Sequence, residues 1–144
     1  INMTYALYEA LRLLHEEGLD ACFARHALNH QALKIGLETL GFTYAADPDH
    51  QLPMLNAVNL PNAVDDAQMR SALLKQYNIE IGGGLGELKV KVWRIGIMGH
   101  SAKPKNVLGL LDALEKLFME NRINCESGGA YNAANAVYID GFSD

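Results

Sequence analysis

The chain has 144 residues, a net charge of −5, 49% apolar side chains and two cysteines. That length supports one hydrophobic core without disulfide or metal staples, and the composition argues against disorder. There is no basic stripe for nucleic acid and no apolar run near the length of a membrane span. No leader pattern opens the chain, and Phe142-Ser143-Asp144 is no peroxisomal address, so a cytoplasmic setting with Cys22 and Cys125 reduced is expected.

The predicted elements alternate. Tyr5, Leu7, Tyr8, Leu11 and Leu14 recur at helical spacing, predicting a helix from Thr4 to Glu17 stopped at Gly18. A second helix runs from Asp20 to Leu40 and closes at Gly41. A short strand over Phe42–Ala45 precedes an Asp47-Pro48-Asp49-His50 loop with turn chemistry, and Met54–Leu60 alternates as a strand ending at Pro61. Asp65 and Asp66 place carboxylates at the favourable end of a helix reaching Tyr77. Strands at 78–82 and 91–97 then flank a glycine turn, and Lys103-Pro104 opens a last amphipathic helix to about Asn121. Beyond it the chain reads as a small-residue extension with one short helical turn and no function. Helices alternating with short strands imply a layered α/β (α+β) domain with helices packed over one face of a small sheet.

The most informative stretch is Ile79-Glu80-Ile81-Gly82-Gly83-Gly84-Leu85-Gly86 followed by Val92-Trp93-Arg94-Ile95-Gly96. A guanidinium taken out of water needs an anion, and its planar fork suits a carboxylate. Glycines beside it admit a small ligand close to the backbone. The stretch therefore reads as a pocket wall for a small carboxylic acid, or as a hairpin whose arginine pairs with an internal Asp or Glu. Trp93 alternates away from Arg94 and belongs in the core behind that wall.

Gly83-Gly84-Leu85-Gly86, Lys91-Val92-Trp93-Arg94-Ile95-Gly96 and Met98-Gly99 resemble the carboxy-terminal part of the alanine–glyoxylate (serine–pyruvate) aminotransferases, which are class V, fold-type I, pyridoxal-phosphate enzymes. Tyr5-Ala6-Leu7-Tyr8-Glu9-Ala10-Leu11, Leu52-Pro53-Met54-Leu55-Asn56-Ala57-Val58 and Asn106-Val107-Leu108 extend the likeness over nearly the whole chain. The resemblance implies a small domain with a mainly antiparallel sheet over residues 1–122, an extension over 123–144, and a carboxylate-binding role for Arg94, with Gly83 and Gly84 lining the substrate turn. It implies a small amino acid or 2-oxo acid as substrate, and as partners an amino-terminal pyridoxal-phosphate domain and a second protomer. Lys34, Lys75, Lys89, Lys91, Lys103, Lys105 and Lys116 do not match the family's Schiff-base lysine, which lies upstream of the point matched by Ile1-Asn2-Met3-Thr4. The chain alone is thus expected to hold no pyridoxal phosphate and to be inactive. It opens on isoleucine, which reads as truncation. The alternative is a stand-alone, non-catalytic module that holds a small carboxylate or a partner protein. One departure stands out, because Val90 occupies a position where the family carries glycine. A β-branched residue resists positive φ, so the hairpin is expected to differ in shape or mobility there.

Other features carry less. Gly82, Gly84 and Glu87 fail the third position of a dinucleotide fingerprint, and the turn leads into a strand. His26 and His30 share a helix face but lack further ligands, so helix packing is expected and no metal site. His100-Ser101 is expected to cap the following helix. The Asp47–His50 loop is expected to be solvated.

Overall fold

The computed structural model describes residues 1–141. Five helices are assigned there: α1 Asn2–Glu17, α2 Leu19–Thr39, α3 Asp66–Tyr77, α4 Pro104–Glu120 and α5 Gly129–Gly141. Four strands, β1 Thr43–Tyr44, β2 Leu55–Asn59, β3 Gly82–Gly83 and β4 Val92–Gly96, form one sheet in the order β1-β2-β4-β3. Every pairing in it is antiparallel.

Local chemistry explains most element ends. The Asp65 carboxylate accepts from Gln68 N at 2.8 Å and starts α3, while Asn78 takes the left-handed conformation that ends it. Pro104 opens α4, where its missing N–H costs nothing. Asp47 accepts from Asp49 N at 3.0 Å and folds 48–50 into one solvated turn, as expected of that loop.

The core lies between the sheet and α2, α3 and α4. Strand alternation turns Asn56, Val58, Trp93, Ile95 and Ile97 inward, where Trp93 stacks near Phe42 (5.3 Å between ring centroids) and Phe42 near Phe118 (6.1 Å). From α4, Val107, Leu111, Leu114, Leu117 and Phe118 complete it. Helices thus cover one face of an antiparallel sheet, as the sequence implied. The other face is open, carrying Leu55, Ala57, Arg94 and Gly96.

Two expectations need correction. The tail is no loose extension with a single helical turn, because α5 runs for 13 residues and packs on α2 and α4. Its inner face is small: Ala130, Ala134 and Tyr138 are buried, and the Tyr138 hydroxyl donates to Asn29 Oδ1 on α2 at 2.9 Å. Burial pushes that hydroxyl's pKa upward. The buried Glu115 of α4 caps α5 from outside, its Oε1 accepting from Ala130 N at 2.6 Å and Tyr131 N at 3.3 Å. Second, the strand expected over 78–82 is confined to Gly82–Gly83, so Gly83 belongs to the strand and not to the turn. The two glycines pair with Arg94 and Trp93, and the reversal comes later, through residues 85–91.

Candidate functional site

Ala57, Arg94 and Gly82 lie abreast on β2, β4 and β3, all on the open face. Arg94 is exposed there, and its Nε donates to the Gly83 carbonyl at 2.9 Å. A Cβ on Gly82 would lie 3.4 Å from the Arg94 Nη2, so glycine leaves the guanidinium room to lie over β3. The small Ala57 borders it on the other side. Among the described residues, no ion pair involves Arg94. The guanidinium is therefore neither buried nor spent on an internal carboxylate. A sheet with one uncovered face can present arginine to solvent, so the desolvation that would demand a partner does not arise.

The strand is anchored from behind. Trp93 is fully buried and its Nε1 donates to Asp66 Oδ1 at 2.8 Å. Asp66, in the first turn of α3, also accepts from Arg70 Nε at 2.7 Å and Nη2 at 2.9 Å. The Arg70 hydrogen bonds, aided by Trp93, hold the Asp66 carboxyl below its usual range against the opposing effect of burial. Arg70 Nη2 in turn lies 3.4 Å from where a Gly83 Cβ would stand. Gly83 is thus confined on one face by α3 while its carbonyl aims Arg94 on the other.

Gly84 has a different environment. It is buried, and a Cβ there would sit 2.1 Å from the Leu88 carbonyl oxygen and 3.1 Å from that of Val92, a contact no side chain survives. The hairpin closes over it, with Val90 at φ 59. The expectation that valine would avoid this conformation is overturned: the residue takes the left-handed geometry itself, because the hydrogen bond Lys91 N to Leu88 O (3.1 Å) and the β3–β4 pairing fix the turn around it.

The exit of β4 is held by α2. Gly99 N donates to His26 Nε2 at 2.9 Å, and Gly99 O accepts from Arg25 Nη1 at 2.8 Å. Arg25 also reaches Ala102 O at 3.0 Å and grips Glu17, with one bond of 2.7 Å from Nη2 to Oε2. Since Nε2 accepts, His26 carries its proton on Nδ1 and donates to Cys22 O at 2.7 Å. His30 instead meets Asn56 Oδ1 at 2.7 Å, an oxygen shared with the Tyr44 hydroxyl at 2.7 Å. Both histidines are packing groups, and no cluster of three metal-ligating side chains exists among the described residues. Ser101 does not cap α4: its hydroxyl donates to Met98 O at 2.8 Å, and Asn106 Nδ2 reaches its carbonyl at 2.9 Å. No described helix is long and apolar enough to cross a membrane.

The residues do not fit pyridoxal phosphate. None of the seven lysines is buried. The half-buried Lys34 is engaged by Gln51 Oε1 at 3.0 Å and by the Tyr44 ring, so no lysine faces an enclosed site. Sequence reasoning missed the Asp66–Arg70–Trp93 latch and Ala57. The alternation of Met54–Leu60 against 91–97 carried the signal for Ala57, once an antiparallel register is drawn.

No protein-family model matches the chain. It is 39% identical over 137 residues to the (S)-ureidoglycine–glyoxylate transaminase of Bacillus subtilis, a match covering 95% of this chain and 33% of that protein. The alanine–glyoxylate aminotransferase of Mus musculus is 33% identical over 117 residues, covering 81% of this chain and 28% of the relative. The crystal structure of the Bacillus subtilis ureidoglycine–glyoxylate aminotransferase superposes with a TM-score of 0.90 over 95% of this chain and 35% of that one, at 39% identity. The chain thus spans about a third of the length of the relatives it matches. By sequence, its homologues are class V aminotransferases, and its fold matches their carboxy-terminal domain.

Proposed function

We propose that this chain is the substrate-carboxylate-binding part of a pyridoxal-phosphate-dependent transaminase that exchanges amino groups between small amino acids and 2-oxo acids such as glyoxylate or pyruvate. One observation carries the reading: the Arg94 guanidinium lies on the open sheet face, aimed by the Gly83 carbonyl and free of any described ion pair. Nε is used inside the protein, which leaves the terminal nitrogens to grip a carboxylate. Ala57 and Gly82 on either side keep the floor low, which suits a compact acid. Gly83 contributes its carbonyl, and Gly84 lets the hairpin close.

In the assembled enzyme the cofactor would supply the electron sink, held by a preceding cofactor domain and used beside a second protomer. This chain supplies orientation: Arg94 fixes the carboxylate end of the substrate and Trp93, latched to Asp66, fixes the strand that carries Arg94. Alone it is inactive, for want of a lysine in an enclosed site. The test is a chimera in which this chain replaces the matched third of the Bacillus subtilis relative. The expected result is measurable transamination that falls by about a hundredfold or more in kcat/KM with Arg94→Ala and is partly retained with Arg94→Lys. An active chimera indifferent to Arg94→Ala would overturn the assignment.

A further inference from the structure

Helix α1 is attached to the rest of the protein by very little. None of its residues is buried, Leu14 alone is half-buried, and it packs chiefly on α2. The joint between the two helices is a single residue, Gly18, whose N donates to Leu14 O at 2.9 Å and whose carbonyl accepts from Cys22 N at 3.0 Å. Its φ of 84 suits glycine, and no atom beyond its chain neighbours lies within 4 Å of where a Cβ would stand, so nothing braces the joint. We propose that Glu17 and Arg25 form a clasp that sets the angle of α1 and ties it to the exit of β4, the strand of Arg94. The clasp is a property of the chain by itself and does not rest on the carboxylate reading.

One guanidinium makes both connections. Among the described residues, the hydrogen bonds and ion pairs that join α1 side chains to other elements all converge on Glu17. Arg12 spends itself on Glu9 and Glu16 within the helix. Arg25 turns its Nε–Nη2 edge to the Glu17 carboxylate, while Nη1 donates to Gly99 O at 2.8 Å and Ala102 O at 3.0 Å. On the next residue of α2, His26 Nε2 accepts from Gly99 N at 2.9 Å, so adjacent side chains of one helix hold both the N–H and the C=O of Gly99. The Glu17 carboxyl is held below its usual range chiefly by its hydrogen bonds to Arg25, with Cys22 and His26 adding to them.

Planarity couples the two ends. The nitrogens of the guanidinium share one rigid plane, so it cannot release one edge and turn without moving the other. Without the Glu17 charge, a cation whose side chain is 30% exposed regains water by swinging outward, and Nη1 then leaves Gly99 and Ala102. The same loss frees α1, which has no buried residue to hold it and a glycine joint to pivot on. Gly99 then keeps His26 but loses Arg25, so its amide opens to solvent more often.

Residual dipolar couplings and amide hydrogen exchange on the isotope-labelled intact chain test both halves. In the wild type, α1 is expected to share one alignment frame with α2, α4 and the sheet. Glu17→Gln should shrink the α1 couplings and take them out of that frame while the rest stays in place. It should also raise the exchange rate of the Gly99 amide by about tenfold or more. Glu16→Gln, which removes a charge from the same turn but one that meets only Arg12, should do neither. Far-ultraviolet circular dichroism should show both variants folded, since neither residue is buried. Couplings of α1 that stay in the common frame in Glu17→Gln, or that are already averaged in the wild type, overturn the clasp. Unchanged Gly99 exchange with α1 released overturns its tie to β4.

Discussion

Replacing Val90 by glycine should stabilise this protein. Val90 sits at φ 59, where a β-branched side chain crowds its own backbone, at a cost of about 2 kcal/mol. Glycine removes that cost but loosens the unfolded chain by about 0.7 kcal/mol. Val90 is 61% exposed, so the apolar burial its side chain provides is worth only about 0.5 kcal/mol. The net gain is about 1 kcal/mol, or a rise in Tm of about 3 °C for a chain of this size. Differential scanning calorimetry of wild type, Val90→Gly and Val90→Ala would measure it, with alanine gaining less than half as much because its Cβ meets the same backbone. If Val90→Gly lowered the Tm, or Val90→Ala matched it, the left-handed geometry at residue 90 would be wrong.

Glu115→Ala should cost about 2 kcal/mol in urea unfolding and expose the α5 amides to hydrogen exchange, since Ala130 and Tyr131 lose their common acceptor. Asp66 should make stability acid-sensitive. Its carboxyl titrates below the ordinary aspartate value of 3.8, so its contribution is fully present above that value and drains away as pH falls through the depressed one. Trp93 emission should shift in the same window, and Asp66→Asn should flatten both profiles. Gly84→Ala should unfold or severely destabilise the hairpin, because the clash at 2.1 Å is with backbone. Gly82→Ala, whose added Cβ comes nearest the flexible end of Arg94 at 3.4 Å and meets the Arg94 carbonyl oxygen at an ordinary 3.5 Å, should spare stability and weaken carboxylate binding.

What could be read from the sequence depended on how local the causes were. α3 announced itself through Asp65 and Asp66, and α4 through Pro104 and its leucine stripe, because capping and periodicity are written in neighbouring residues. α5 was illegible for the opposite reason. Its buried face is Ala130, Ala134 and Tyr138, too small to register as an apolar stripe, and its cap is Glu115, which arrives from another helix. The glycine–arginine pattern located the candidate site, yet it misplaced the burial of Arg94. Exposure is decided by whether anything covers the outer sheet face, and no residue in the strand encodes that. Val90 was read as a residue that resists positive φ and so changes the hairpin's shape or mobility, whereas the pairing of Gly82 and Gly83 with β4 fixes the turn and imposes its conformation on the valine. The grip of Arg25 and His26 on Gly99 joins residues more than seventy apart, beyond the reach of any spacing argument.

The central claim is that Arg94 receives a small carboxylate, and titration of the isotope-labelled chain with pyruvate or glyoxylate, followed by NMR, tests it most directly. Saturable shifts confined to the Arg94 Nε–H and the Gly82, Gly83 and Ala57 amides, absent in Arg94→Ala and suppressed in Ala57→Glu, are predicted. Shifts elsewhere with these signals unmoved, or shifts that persist in Arg94→Ala, would contradict it.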